Sequence, residues 1–351
     1  MNRGNNRRIL FLPALISAAF LLGSCARFSA ESREDQPVLR FVVTGDSRGN
    51  DNGVNTLILG EIAQEIISKR AEFVLVLGDL VTGGNCDQAT LQSQLATWRD
   101  TMQPVYDAGI AVYPIRGNHD LGYPEERTAW DNVFSGEYAL PTNGPANETG
   151  LTYSFSHKNV LVLALDQYVD LHRVNQSWID AQMAANTNTH VFACGHVPAF
   201  KVQHLECLGD YPDQRDAFWR SLEKAGCRIY FCAHDHFYDH AIVDDGDGNP
   251  GNDISQYLIG TAGAPLRAHL PSYDGDNSSY AVNQRHHAEN YGYVLVEVDA
   301  SNVKLTWFGR DDSTGKYLDG GSFSPSKRDM KRYEVLYLET GSEGEHNEFE
   351  Q

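Results

Sequence analysis

The chain has 351 residues, with 28 Lys and Arg against 47 Asp and Glu, for a formal net charge of −19. That length holds one large domain or two ordinary ones, and 41% hydrophobic residues exclude a disordered chain. A balance this acidic excludes a protein that grips a long nucleic-acid backbone, and six Cys are too few for a disulfide-built scaffold.

Residues 1–24 carry Arg3, Arg7 and Arg8 ahead of an apolar run from Ile9 to Leu22. Interrupted by Pro13, the run is too short for a comfortable bilayer span and suits a signal-peptide core. It ends Leu22-Gly23-Ser24-Cys25, which resembles a bacterial lipobox. The expectation is an exported protein, lipid-anchored through Cys25 on the periplasmic or cell-surface side, with residues 25–37 as a polar tether.

From residue 38 onward, β-branched runs alternate with helix-like segments. Leu39–Thr44 reads as a strand and Asn55–Lys69 as a helix, with Leu57, Ile58, Ile62, Ile66 and Ile67 roughly on one face. Phe73–Leu77 and Ile110–Ile115 read as strands around a helix at Ala89–Met102. After Gly150 come hairpin-like strands at Thr152–Ser156 and Val160–Leu165, then a helix at Gln176–Ala185. Strand Val191–Cys194, helix Arg215–Ala225 and strand Arg228–Cys232 follow. Ile242–Asp244, Gln256–Ile259, Tyr293–Val298 and Val303–Phe308 make the remainder mostly β. This pattern predicts an α/β domain with two sheets over residues 38–310. Residues 311–351 are expected to form a C-terminal extension, with Arg332–Glu339 as a last strand before an acidic tail.

Chemistry collects just after the buried strands, where ligands bind in open α/β sheets. Those ends read Gly45-Asp46-Ser47-Arg48, Gly78-Asp79-Leu80, Gly117-Asn118-His119-Asp120, Gly195-His196 and His234-Asp235-His236. Each supplies a carboxylate, amide or imidazole, the O and N donors suited to Mn, Fe or Zn. Most have a neighbouring Gly that lets the backbone turn sharply. Elsewhere, Asp245-Gly-Asp247-Gly-Asn249 has the spacing of a calcium loop's opening. Pro250 and Gln256 replace the Gly and Glu that such a loop needs, so a hairpin turn is expected. His204, His269, His286 and His287 read as surface residues in loops, and Cys194 and Cys232 as buried core. Cys86 and Cys207 would pair only if their loops meet above the site.

The ordered set GD, GD, GNHD, GH and HxH resembles the calcineurin-like metallophosphoesterase superfamily over roughly Leu39 to Phe308. The resemblance implies a two-sheet β-sandwich flanked by helices, with two metal ions at the strand ends. By matching position, Asp46 belongs to the first metal and Asp79 bridges both. Asn118, His196 and His234 match ligands of the second metal, and His236 returns to the first. His119 and Asp120 match the His–Asp pair beside the leaving group, Asp120 being a candidate for holding the imidazole in one tautomer. The implied activity is hydrolysis of a small phosphate ester by metal-bound hydroxide at a dinuclear site. The alternatives are a phosphodiesterase or nucleotide hydrolase, or a non-catalytic metal-binding lipoprotein on the same fold.

One departure bears on the metals. The family commonly has Asp-x-His in its first motif, and here the third residue is Arg48. Related branches place a Tyr three residues after the bridging Asp, and that position is Thr82. Guanidinium is not a metal ligand. Two expectations follow: Arg48 clamps substrate phosphate, or the first metal site is weak. The overall acidity leaves room for a small anionic substrate, because metal ions and Arg48 would make the pocket locally positive.

Overall fold

A computed structural model describes residues 38–49, 52–84, 86–121, 126–268, 273, 279–300 and 302–323. Residues 1–37, where a leader, a lipobox and a tether are expected, and the expected last strand Arg332–Glu339 with the acidic segment after it lie outside the described residues. Among the described residues, no helix is long and apolar enough to cross a membrane.

The chain runs β1 (Leu39–Thr44), α1 (Thr56–Ser68), β2 (Phe73–Val76), α2 (Gln88–Asp107), β3 (Ala111–Pro114) and α3 (Glu126–Val133). It continues β4 (Tyr153–His157), β5 (Val160–Ala164), α4 (Gln176–Ala185), β6 (His190–Cys194), α5 (Pro212–Lys224) and β7 (Ile229–Cys232). It closes with β8 (Tyr238–Asp244), β9 (Ile254–Ile259), β10 (Ala281–Ala288), β11 (Gly292–Val298), β12 (Val303–Asp311) and β13 (Lys316–Phe323). One sheet has the order β13-β12-β11-β1-β2-β3 and the other β10-β8-β9-β7-β6-β5-β4.

Within each sheet the site-bearing strands are parallel: β1 with β2 and β2 with β3 in the first, β5 with β6 and β6 with β7 in the second. Such strands are covered on both faces, which is why β2 and β7 read as unbroken apolar runs. The sheets face each other through aromatic side chains. Phe41 on β1 lies 5.3 Å from Phe192 on β6, and Tyr238 on β8 stacks at 4.2 Å on Trp307 of β12. Ile58, Leu59, Ile62 and Ile66 of α1 and Leu91, Leu95 and Trp98 of α2 bury against the same core. Phe218, Trp219 and Leu222 of α5 and Ile179 of α4 fill a second core on the outer side of the other sheet. The result is the α/β two-sheet sandwich flanked by helices that the sequence predicts.

Three elements differ from expectation. The first sheet does not stop at residue 310: β12 runs to Asp311 and pairs with β13, so the domain extends at least to Phe323. β10 and α3 are also additional to the predicted elements. Asp245–Asn249 forms the turn between β8 and β9, as expected, and carboxylate oxygens of Asp244, Asp245 and Asp253 come together beside it. Cys86, Cys194, Cys207, Cys227 and Cys232 are all free thiols. The neighbouring-strand pair Cys194 and Cys232, like the loop pair Cys86 and Cys207, forms no bridge.

Candidate metal centre

The predicted donors converge where the parallel strands of both sheets end. The turn after β1 is tied to the turn after β2 through its backbone: Asp46 N–H donates to the Gly78 carbonyl at 3.0 Å, and Ser47 and Arg48 N–H both donate to the Asp79 carbonyl. Gly78, at φ +86°, lies so close to the next turn that a Cβ would sit 2.6 Å from Gly117 N and 2.7 Å from His196 Nδ1. Asp46, Asp79 and His234 adopt positive φ of 59°, 51° and 77°. Such backbone costs on the order of 1–3 kcal/mol per residue and persists where surrounding structure imposes it. Here all three strained residues point their side chains into one site.

Donor chemistry in the second metal position fits a cation. His196 Nε2, His234 Nδ1 and Asn118 Oδ1 are mutually 3.1–3.2 Å apart, and Asp79 Oδ1 is 3.4 Å from His196 Nε2. His196 donates its Nδ1–H to the Leu77 carbonyl at 2.7 Å, which leaves Nε2 a bare lone pair. His234 Nδ1 faces the centre, while its Nε2 lies 3.4 Å from Glu206 Oε2 without a hydrogen bond. The bare lone pair of His196 Nε2 thus converges with Asn118 Oδ1 and His234 Nδ1. Donors about 2.0–2.2 Å from one ion stand roughly 3–3.5 Å from each other, and these spacings fall in that range. Burial pushes His196 and His234 toward the neutral form, His234 the more strongly, with His196 adding to it. Burial, followed by the nearby charge of Asp79, pushes the Asp46 carboxyl upward. Neutral imidazoles beside crowded carboxylates form an electron-rich cage that a cation relieves.

The first metal position is different. Asp46 Oδ2 accepts the His234 N–H at 2.8 Å, while its Oδ1 has no hydrogen-bond partner among the described residues and lies 3.8 Å from His236 Nε2. Arg48 Nε lies 3.4 Å from Asp79 Oδ2, and Arg48 Nη2 is 3.3 Å from His236 Nε2. Burial and then the Arg48 charge lower His236 to about 4. Thr82 directs its hydroxyl to the Gly53 carbonyl at 3.3 Å, away from any ligand role.

His119 and Asp120 separate in function. His119 N–H donates to Asp79 Oδ1 at 2.9 Å, and its ring Nδ1 is 2.7 Å from the Thr82 carbonyl. A carbonyl accepts only, so Nδ1 carries a proton and Nε2 is the nitrogen that exchanges one. Asp120 does not hold this imidazole. Its fully buried carboxylate accepts N–H bonds from Gly117 at 2.8 Å and Val81 at 3.2 Å, bracing the loop. Neighbours in a tight helical turn project in different directions, and residues 118–120 form such a turn. The role expected of Asp120 falls to the Thr82 main chain.

Residues of three loops join the site without any motif to announce them. Asp235, between His234 and His236, accepts N–H bonds from Gln203 and His204 at 3.1 Å and so holds residues 203–206 over the centre. His204, expected on the surface, packs its ring 4.6 Å from that of His234 and meets Arg267 Nη1 at 2.7 Å. Tyr168, whose ring centre is 6.0 Å from that of His196, buries a hydroxyl with no partner among the described residues. A buried Arg116–Asp166 pair at 2.8 Å anchors that loop, Asp166 also accepting from Tyr168 N–H. His286 and His287 lie on β10, and His269 is outside the described residues. The Glu206 carboxylate lies 3.4 Å from His234 Nε2 and adds negative charge beside the centre, so Glu206→Gln should weaken metal affinity about tenfold, the lower end of the range for such contacts because Glu206 is half exposed. Equilibrium dialysis measures this; an unchanged Kd would make the contact incidental.

The sequence model of the calcineurin-like phosphoesterase family matches residues 39–238, from β1 through the last predicted ligand. This chain belongs to that family. Among relatives, human tartrate-resistant acid phosphatase type 5 is 25% identical over 338 residues, covering 88% of this chain and 96% of the human protein. Its mouse counterpart is also 25% identical, over 60% of this chain and 71% of its own. The family fold appears in the purple acid phosphatase PPD1 from yellow lupin, with a TM-score of 0.58 and 18% identity, over 82% of this chain and 53% of the lupin chain. PhoD superposes with a TM-score of 0.63 at 10% identity, over 83% of this chain and 70% of its own. The chain thus spans about half the length of the lupin protein. As a phosphoesterase-family member it carries a candidate metal cluster that includes Asp46, Asp79 and His196.

Proposed function

We propose that this protein is a metal-dependent phosphoester hydrolase acting on a small phosphate monoester. The observation that carries the reading is the convergence of His196 Nε2, His234 Nδ1 and Asn118 Oδ1 beside Asp79, with His119 fixed by its main chain to the same carboxylate. A metal ion there supplies positive charge to a phosphoryl oxygen and acidifies a coordinated water. Asn118, His196, His234 and Asp79 would hold it, with the Glu206 carboxylate beside His234 Nε2. His119 presents Nε2 for transfer of a proton to the departing oxygen, its ring held by the Thr82 carbonyl. Arg48, beside Asp79, adds fixed positive charge where an anionic substrate would bind.

The test compares p-nitrophenyl phosphate with its bis ester in the presence of Mn²⁺, with and without a chelator. Chelator-sensitive turnover that favours the monoester supports the proposal. Preference for the bis ester selects the diesterase alternative, and tight metal binding without turnover of either selects a non-catalytic metal protein.

A further inference from the structure

Half of the centre is already neutralised from within the chain. Arg48 spans the two side chains, Asp79 and His236, that a first metal ion would share, at 3.4 and 3.3 Å. His236 donates its Nδ1–H to the Pro265 carbonyl at 2.9 Å, so its Nε2 lone pair faces the guanidinium as acceptor. The arginine is rooted for this contact. Its N–H donates to the Asp79 carbonyl at 3.1 Å, its backbone pairs with Val54 in an isolated bridge, and its side chain is only 18% exposed. A guanidinium does not lose its proton and does not ligate metal. The position where a related branch recruits a Tyr holds Thr82, whose hydroxyl is turned to Gly53. Donors for a first ion are therefore few: Asp79 Oδ2 and His236 Nε2 face a permanent cation, which leaves Asp46 Oδ1 as the one carboxylate oxygen there with no hydrogen-bond partner among the described residues.

We propose that Arg48 takes the place of the first metal ion, so that the centre binds one ion through Asp79, Asn118, His196 and His234. Asp79 then bridges an ion on one oxygen and a guanidinium on the other. A second ion in the first position would meet the Arg48 charge at short range and lose His236 Nε2 to its hydrogen bond. This inference rests on the metal-dependent reading above and narrows it from two ions to one.

Protein loaded with excess Mn²⁺ and desalted provides the test, through elemental analysis and electron paramagnetic resonance. The native chain should retain one Mn per molecule with the six-line spectrum of an isolated ion. Arg48→Ala should retain two with an exchange-coupled spectrum, while Arg48→Lys, which keeps the charge, should stay at one. Two coupled ions in the native protein would overturn the inference and leave the metal-dependent reading intact. No retained ion would overturn both, which keeps the two failures apart. A variant shown folded by circular dichroism that stays at one ion after Arg48→Ala also overturns it. The native count decides the question even if that variant does not fold.

Discussion

Asp79→Asn should lower kcat/KM for p-nitrophenyl phosphate by about a thousandfold, a loss of roughly 4 kcal/mol of transition-state stabilisation. Each Asp79 oxygen has its own duty: Oδ1 faces His196 Nε2 and accepts the His119 N–H, while Oδ2 faces Arg48. Asn keeps the shape and the Oδ1 acceptor but removes the charge that attracts cations from both sides. It is also the substitution the backbone tolerates best, because Asn ranks with Asp among side chains that accept the positive φ of 51° found here. The fold should therefore survive, and metal content should fall along with activity. A folded variant that retains both its metal and its rate would remove Asp79 from the centre.

His119→Ala should act on chemistry without touching the metal. Loss of a positioned proton donor typically costs 10²–10⁴-fold, and that range is expected here for an alkyl phosphate, whose leaving oxygen needs the proton. With p-nitrophenyl phosphate the leaving group departs without help, so the loss should shrink to about tenfold or less. Metal content should match the native protein, because the His119 side chain contacts the Thr82 carbonyl rather than the ligand set. Equal losses on the two substrates would assign His119 a positioning or binding role instead.

Much of this was legible in the sequence because buried parallel strands leave a strong signature. β1, β2, β6 and β7 are nearly continuous apolar runs followed within two residues by Gly or His, and the structure gathers those ends in one place. The unpredicted strands are both at sheet edges. β10, AVNQRHHA, and β13, KYLDGGSF, are largely polar or glycine-rich because one side of each meets solvent instead of another strand. Asp120 follows His119 directly in sequence, and adjacency does not give direction: its carboxylate turns to the Gly117 and Val81 N–H groups. Glu206, His204 and Tyr168 reach the centre on loops whose paths depend on remote anchors, Asp235 for residues 203–206 and the Arg116–Asp166 pair for Tyr168. No local spacing encodes such contacts.

Asp79 and Asn118 follow strands of one sheet, while His196 and His234 follow strands of the other. An ion held by all four is a rivet through the sandwich: the layers cannot part without giving it up. Its binding free energy then counts toward folding, about 2.7 kcal/mol at a free concentration a hundredfold above Kd. Chelation should lower Tm by about 5–10 °C at the 2–4 °C per kcal/mol typical of sizeable domains, and a His196→Ala protein should melt at one temperature with or without chelator. Equal chelator sensitivity in both proteins would place the stabilising ion elsewhere. A centre built for turnover would in this way also set how firmly the layers of the molecule stay closed.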